Sequence, residues 1–156
     1  MDKKNYRRGV GMIIMNHEGR FWLGQRIGTD TWQFPQGGVD KGESVREAMY
    51  RELQEETGIK KKHVKIILES KNWINYDLPK ELIPKLWNGK FVGQSQKWFA
   101  MEFLGSDSDV NINTKNPEFS KWQWMTKNKL LDSIVPFKKR VYENILSQFS
   151  AQLNLK

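Results

Sequence analysis

The sequence predicts a mixed α/β fold, and three observations carry that reading. Apolar, strand-like runs recur along the chain and outnumber its helical stretches. A well-capped helix sits between two groups of these strands. Four apolar residues at four-residue steps, Phe137, Val141, Ile145 and Phe149, follow Pro136 and indicate a second, closing helix.

In chain order, Val10–Met15 and Phe21–Gln25 flank the polar link Asn16-His17-Glu18-Gly19 and read as a β-hairpin. Trp32–Phe34 is a short extended piece, stopped by Pro35 and the pair Gly37-Gly38. Ser44-Val45-Arg46-Glu47 fits a capping box, so a helix is expected from Val45 to Thr57, with Gly58 as its left-handed cap. His63–Tyr76 reads as one long strand or two short ones. Leu78–Gly93, with Pro79, Pro84 and Gly89, reads as an irregular excursion. Gln96–Leu104 and Lys121–Met125 are expected strands, and Gly105–Pro117 a polar loop.

The 156 residues suit one domain, 1–156. Seven Trp, eight Phe and four Tyr argue for a packed core rather than disorder. Without cysteine, disulfides, thiolate nucleophiles and Cys-ligated zinc are excluded, which is compatible with a cytoplasmic protein. The apolar run Val10–Met15 is too short for a signal-peptide core or a membrane span. The net charge is +8, but unevenly spread. Residues 37–59 hold six acids and three bases, whereas elsewhere 23 bases face 12 acids, a net +11. A basic surface of this kind favours polyanionic partners.

On a helical wheel Glu52, Glu55 and Glu56 fall on the side marked as inward by Val45, Ala48 and Met49. Like charges one turn apart repel, and burying them without partners costs several kcal/mol per charge. Arg51 alone cannot neutralise three carboxylates, whereas hard divalent cations with all-oxygen ligands, Mg²⁺ or Mn²⁺, can. The segment Gln36–Gly42 leads into the helix start. Its glycines allow a ligand close to the backbone, and a helix N-terminus favours anions. Glycine loop, helix start and carboxylates together suit a phosphate chain held through metal ions, the apparatus of metal-assisted phosphoanhydride hydrolysis.

Gly37, five residues, Glu43, seven residues and then Arg51-Glu52-Leu53-Gln54-Glu55-Glu56-Thr57-Gly58-Ile59 resembles the Nudix box, Gx5Ex7REUxEExGU, at every fixed position from 37 to 59. Trp32–Gly38, Asn72-Trp73, Gly93–Phe99, Pro117-Glu118-Phe119 and Phe137-Lys138 resemble the bacterial RNA pyrophosphohydrolase branch, which overlaps with the dinucleoside polyphosphate hydrolases. The resemblance implies a Nudix-type α/β/α sandwich with a mixed central sheet. It implies Glu52, Glu55 and Glu56 as ligands of more than one Mg²⁺ or Mn²⁺, joined by the Gly37 carbonyl and by Glu118 from a distant loop. Arg51 would orient the carboxylates, and Glu43 would position the box.

Glu52 is the candidate general base and Glu118 the fallback. Arg7 and Arg26 are suited to contacting phosphate or stacking on a base. Gln94, Val135, Phe137 and Lys138 resemble the family's nucleotide-contacting positions, although Phe137 is equally readable as part of the closing helix's apolar stripe. Three functions are expected in competition. The first is conversion of 5′-triphosphorylated or diphosphorylated RNA to 5′-monophosphate RNA. The second is asymmetric cleavage of diadenosine tetra- or pentaphosphate. The third is a non-catalytic RNA- or nucleotide-binding module, against which the full carboxylate set argues. A longer polyanion gains more from the +11 surface, which favours RNA.

Overall fold

The stretch Gly9–Ile14 is buried on both faces, which is why it reads as a continuous apolar run rather than an alternation. In the computed structural model, which describes residues 5–153, it belongs to β1 (Tyr6–Met15), the strand on which the sheet is built. Residues 1–4 and residues 154–156 lie outside the described part.

Phe21–Arg26 (β2), Trp32–Gln33 (β3), Gln36–Gly38 (β4), Val64–Glu69 (β5), Ile74–Asp77 (β6), Gly93–Phe103 (β7) and Phe119–Met125 (β8) complete an eight-stranded sheet. Its main path runs β3-β2-β1-β7-β5; β4 also pairs with β1, β6 with β7, and β8 with β2. The β1–β7 ladder is parallel from Tyr6–Gly93 to Met15–Glu102, and the other pairings are antiparallel, so the sheet is mixed. The second edge of β1 is divided. Gly9–Gly11 pair with β4, the Met12 N–H donates to the Pro35 carbonyl at 3.0 Å, and β2 joins only at Met15–Phe21. β1 and β2 therefore part toward the start of β1, and the cleft described below opens there.

α1 (Val45–Thr57) covers one face. Its Ala48, Met49 and Leu53 pack on Val10, Met12, Ile14, Phe99 and Met101. On the other face lie α2 (Lys127–Ser133) and α3 (Pro136–Leu153). Tyr142, Ile145, Leu146 and Phe149 of α3 pack on Ile13, Phe34, Trp98 and Ala100. Each large buried apolar side chain contributes about 1.5–3 kcal/mol. Gly11 is the point of closest approach: a Cβ there would overlap the indole of Trp98, its partner in the β1–β7 register. The result is the expected α/β/α sandwich.

The expected α1 is observed end to end. The Ser44 hydroxyl accepts from the Glu47 N–H at 3.1 Å, Glu47 returns the bond to the Ser44 N–H, and Gly58 closes the helix at φ 75°. His63–Tyr76 resolves into two strands, β5 and β6, both against β7. Some of the elements differ from the expectation. Gln36–Gly38 is a strand rather than a loop, because the edge of β1 beside it needs partners. β1 and β7 begin at Tyr6 and Gly93, ahead of their apolar runs, because the parallel ladder continues through polar residues. α2, capped by the Thr126 hydroxyl, carries too few apolar residues to announce itself. Among the described residues no helix is long and apolar enough to cross a membrane.

Candidate active site

Where β1 and β2 part, a cleft of about 250 Å³ is bounded by β4, α1, the start of β7 and the start of α3. α1 delivers its acids to this cleft because the helix crosses beneath the glycine pair of β4. Gly37 faces Glu52 so closely that a Cβ would overlap the carboxyl, and a Cβ on Gly38 would overlap the Arg7 guanidinium. The bare backbone of β4 is thus held between an acid on one side and a base on the other.

Glu56 is 8% exposed, and one of its oxygens accepts from the Gln36 N–H at 2.9 Å. Burial, and then the charges of Glu52 and Glu118, hold its carboxyl well above the usual range. Glu52 is pushed the same way by burial, against the opposing pull of Arg51. Arg51 is the hub of the cluster. Its Nε and Nη2 donate to the two oxygens of Glu43 at 2.8 and 2.9 Å, and Nη2 also donates to the Gly38 carbonyl at 2.9 Å. Its Nη1 donates to Glu52 at 2.7 Å and to Glu55 at 3.2 Å. This paired fork lowers the Glu43 carboxyl to about 2 and keeps Arg51 charged.

Glu55 is a correction to the wheel. Its side chain is 58% exposed, because the buried arc of α1 runs from Ala48 through Glu56 and Met49 to Leu53 and Thr57, and Glu55 lies beyond it. It lines a neighbouring cavity of about 290 Å³, whose walls include Glu52, Glu56 and Glu118 as well. Among the described residues no three His, Cys, Asp or Glu side chains already converge as a closed metal cage. Glu52 and Glu55 are engaged by Arg51, and Glu118 lies 3.6 Å from the Arg26 guanidinium.

The expected substrate residues mostly meet here. Arg7, Arg26, Gln94, Phe137 and Lys138 line the cleft with Gly37, Glu52, Glu56 and Glu118. Val135 does not. It precedes α3, and its carbonyl accepts from the Lys138 N–H at 3.0 Å. Lys138 is 4% exposed and donates to Gln33 Oε1 at 3.1 Å; burial, and then Arg26, lower its ammonium to about 8. Phe137 is half-buried with its ring 6.3 Å from that of Tyr76, so it leaves the apolar stripe of α3 and faces the cleft. Gln94 Nε2 donates to the Tyr76 hydroxyl at 2.7 Å, while the buried Gln94 Oε1 has no partner among the described residues. Gln33, Gln36, Tyr76 and Trp87 also line the cleft and escaped the sequence reading. Gln36 adjoins the Gly37-Gly38 pair and was within reach, whereas nothing local marked Trp87.

A profile of the NUDIX domain matches residues 5–145. The RNA pyrophosphohydrolase of Dinoroseobacter shibae is 49% identical over 147 residues, covering 93% of this chain and 92% of that protein. The RNA pyrophosphohydrolase of Rickettsia canadensis is 49% identical over 148 residues, covering 94% and 91%. Among solved structures, an Ap4A hydrolase binary complex from C. elegans superposes with a TM-score of 0.71 at 24% identity, covering 95% of this chain and 98% of that one, a likeness of fold.

Proposed function

The chain belongs to the NUDIX domain family, and from that premise we propose that it is an RNA 5′-pyrophosphohydrolase working as a single domain. Water adds to a phosphorus of the 5′-triphosphate, an anhydride bond breaks, and the products are 5′-monophosphate RNA and pyrophosphate. A 5′-diphosphate gives orthophosphate instead. The observation that carries the reading is the meeting, in one cleft, of three carboxylates with three cations: Glu52, Glu56 and Glu118 with Arg7, Arg26 and Lys138.

The donor set fits a hard divalent cation. Glu56 is a buried carboxyl that accepts from a backbone N–H and forms no ion pair among the described residues, and Glu52 and Glu118 lie near enough to raise it further against the weaker pull of Lys138. Glu52, Glu56 and Glu118, with Glu55 and the Gly37 carbonyl at the rim, would hold Mg²⁺ or Mn²⁺, more than one ion per site. When bound, these ions supply charge neutralisation on the anhydride and lower the pKa of the attacking water.

Glu52 accepts the proton of the attacking water. Its burial suits a base of raised pKa, and the Arg51 bond to one oxygen turns the other toward the cleft. Glu118 is the alternative acceptor. Arg51 fixes the helix carboxylates against the Gly38 carbonyl and Glu43. Arg7, Arg26 and Lys138 take the phosphate oxygens, and Phe137 with Tyr76 offers ring faces to the next base. RNA as substrate puts the working compartment in the cytoplasm.

The second reading, hydrolysis of dinucleoside polyphosphates, is favoured by the same Tyr76–Phe137 pair, which could equally hold the second base of diadenosine tetraphosphate. Side-by-side rates decide. Release of pyrophosphate from triphosphorylated RNA with a higher kcat/KM than on diadenosine tetraphosphate is expected. The reverse order would make the dinucleotide the substrate, and no turnover of either would leave a binding module.

A further inference from the structure

Arg7 stands in the cleft without an ion pair among the described residues. A long, charged side chain in that position samples many rotamers unless something holds it. Three features hold it. β1 fixes its backbone opposite Gln94 in the parallel register. The missing Cβ of Gly38 leaves room for the guanidinium on one side. The indole of Trp87 covers it on the other, 5.0 Å from the ring centroid.

Trp87 reaches that position at a conformational cost. It and Asn88 lie at φ 49° and 57°, two consecutive non-glycine residues in the left-handed region. Such residues persist only where their surroundings over-determine them. Here the neck of the excursion is tied to the start of β1. The Leu78 N–H donates to the Val92 carbonyl at 2.8 Å, the Val92 N–H to the Asn5 carbonyl at 2.9 Å, and Asn5 Nδ2 to the Lys90 carbonyl at 3.0 Å. Phe91 packs its ring against the indole at 6.0 Å, nearly edge-on. The excursion between β6 and β7 is thus clamped two residues from Arg7 and bent so that its tryptophan meets the guanidinium.

We propose that Trp87 is a positioning residue: it fixes the plane of the Arg7 guanidinium so that its planar fork meets the polyphosphate of the 5′-terminal nucleotide, whatever its base. This rests on the reaction assigned above. The residue acts through Arg7 and touches no reacting atom.

The test joins a spectroscopic and a kinetic arm. In the wild type without substrate, the Arg7 Hε resonance is expected to be shifted upfield by the indole ring current, and Trp87→Ala to abolish that shift. On a triphosphorylated RNA oligomer, Trp87→Ala should raise KM about 3–10-fold, with a smaller change in kcat. Trp87→Phe should recover most of the loss. In an Arg7→Ala background Trp87→Ala should add nothing, and the melting temperature should stay within about 2 °C. An Arg7 resonance indifferent to Trp87, an undiminished Trp87 effect without Arg7, or a loss that follows the melting temperature and is not rescued by Phe would each overturn the proposal. Failure of the wild type to hydrolyse any 5′-polyphosphate would instead overturn the assigned reaction, and the substrate-free resonance would still decide the pairing.

Discussion

Glu52 and Glu56 sit one turn apart on α1, both pushed toward the protonated form by burial, yet only Glu52 is tied to Arg51. Glu52→Gln keeps size and hydrogen bonding and removes basicity. A kcat loss of at least about 10²-fold is expected in pyrophosphate-release assays, with a folded protein by thermal melting. Glu47→Gln should leave kcat near wild type, because Glu47 only caps the helix; the opposite ranking would displace Glu52 from its role. Glu56 also gives a pH prediction. Its folded-state pKa lies above the unfolded one, so the native protein holds a proton that the unfolded chain has released, and stability falls as pH rises from the ordinary carboxylate range through the Glu56 titration. Thermal melts of metal-free protein should show that decline, and Glu56→Gln should flatten it. Glu43 behaves oppositely: its pKa is lowered to about 2, so its contribution is present above about 4.5 and lost as pH falls toward 2. Glu52, Glu56 and Arg51 were legible in the sequence because box spacing and helical period agree. The exposure of Glu55 was not, since the centre of the buried arc depends on where the sheet lies under the helix.

At the scale of elements, α1 matters as much for its ends as for its face. Gly58 lies against the backbone of Asn111, whose N–H donates to the Thr57 carbonyl at 2.8 Å. The helix end therefore holds the loop that leads to Glu118. Gly58→Ala would force a Cβ into Asn111 from a left-handed backbone. A stability loss of about 1–2 kcal/mol is expected in denaturant titration, together with a fall in kcat from a displaced Glu118. Ser44→Ala, at the other end, should cost about 1 kcal/mol and leave kcat unchanged. Both ends of α1 were readable because capping is local chemistry. β4 and the early starts of β1 and β7 were not, because their partners lie far along the chain. The same holds for Trp87, whose contact with Arg7 crosses between β1 and an excursion with no periodic pattern.

At the scale of the molecule, one acidic knot is set in a basic surface. Added salt should lower kcat/KM on an RNA oligomer more steeply than on diadenosine tetraphosphate, with a slope of about −0.7 per phosphate contact on a log–log plot. Equal slopes would mean that the RNA touches nothing beyond the cleft. Mg²⁺ at about 100 times its Kd should stabilise the fold by about 2.7 kcal/mol, visible as a raised Tm, and excess chelator should abolish hydrolysis. The parallel pairing of residues 6–15 with residues 93–102 has a consequence for how the protein is made. As the chain leaves the ribosome, the hairpin of β1 and β2 appears early, but the other edge of β1 stays bare until β7 has been synthesised. Until then Val10–Met15 is an open, apolar strand, the kind of edge that invites aggregation and chaperone capture. Closing so distant a ladder is slow. A nascent chain stalled before residue 93 carries the glycine pair and the whole carboxylate helix but lacks the floor beneath Arg7, so catalytic competence arrives only after the sheet has closed.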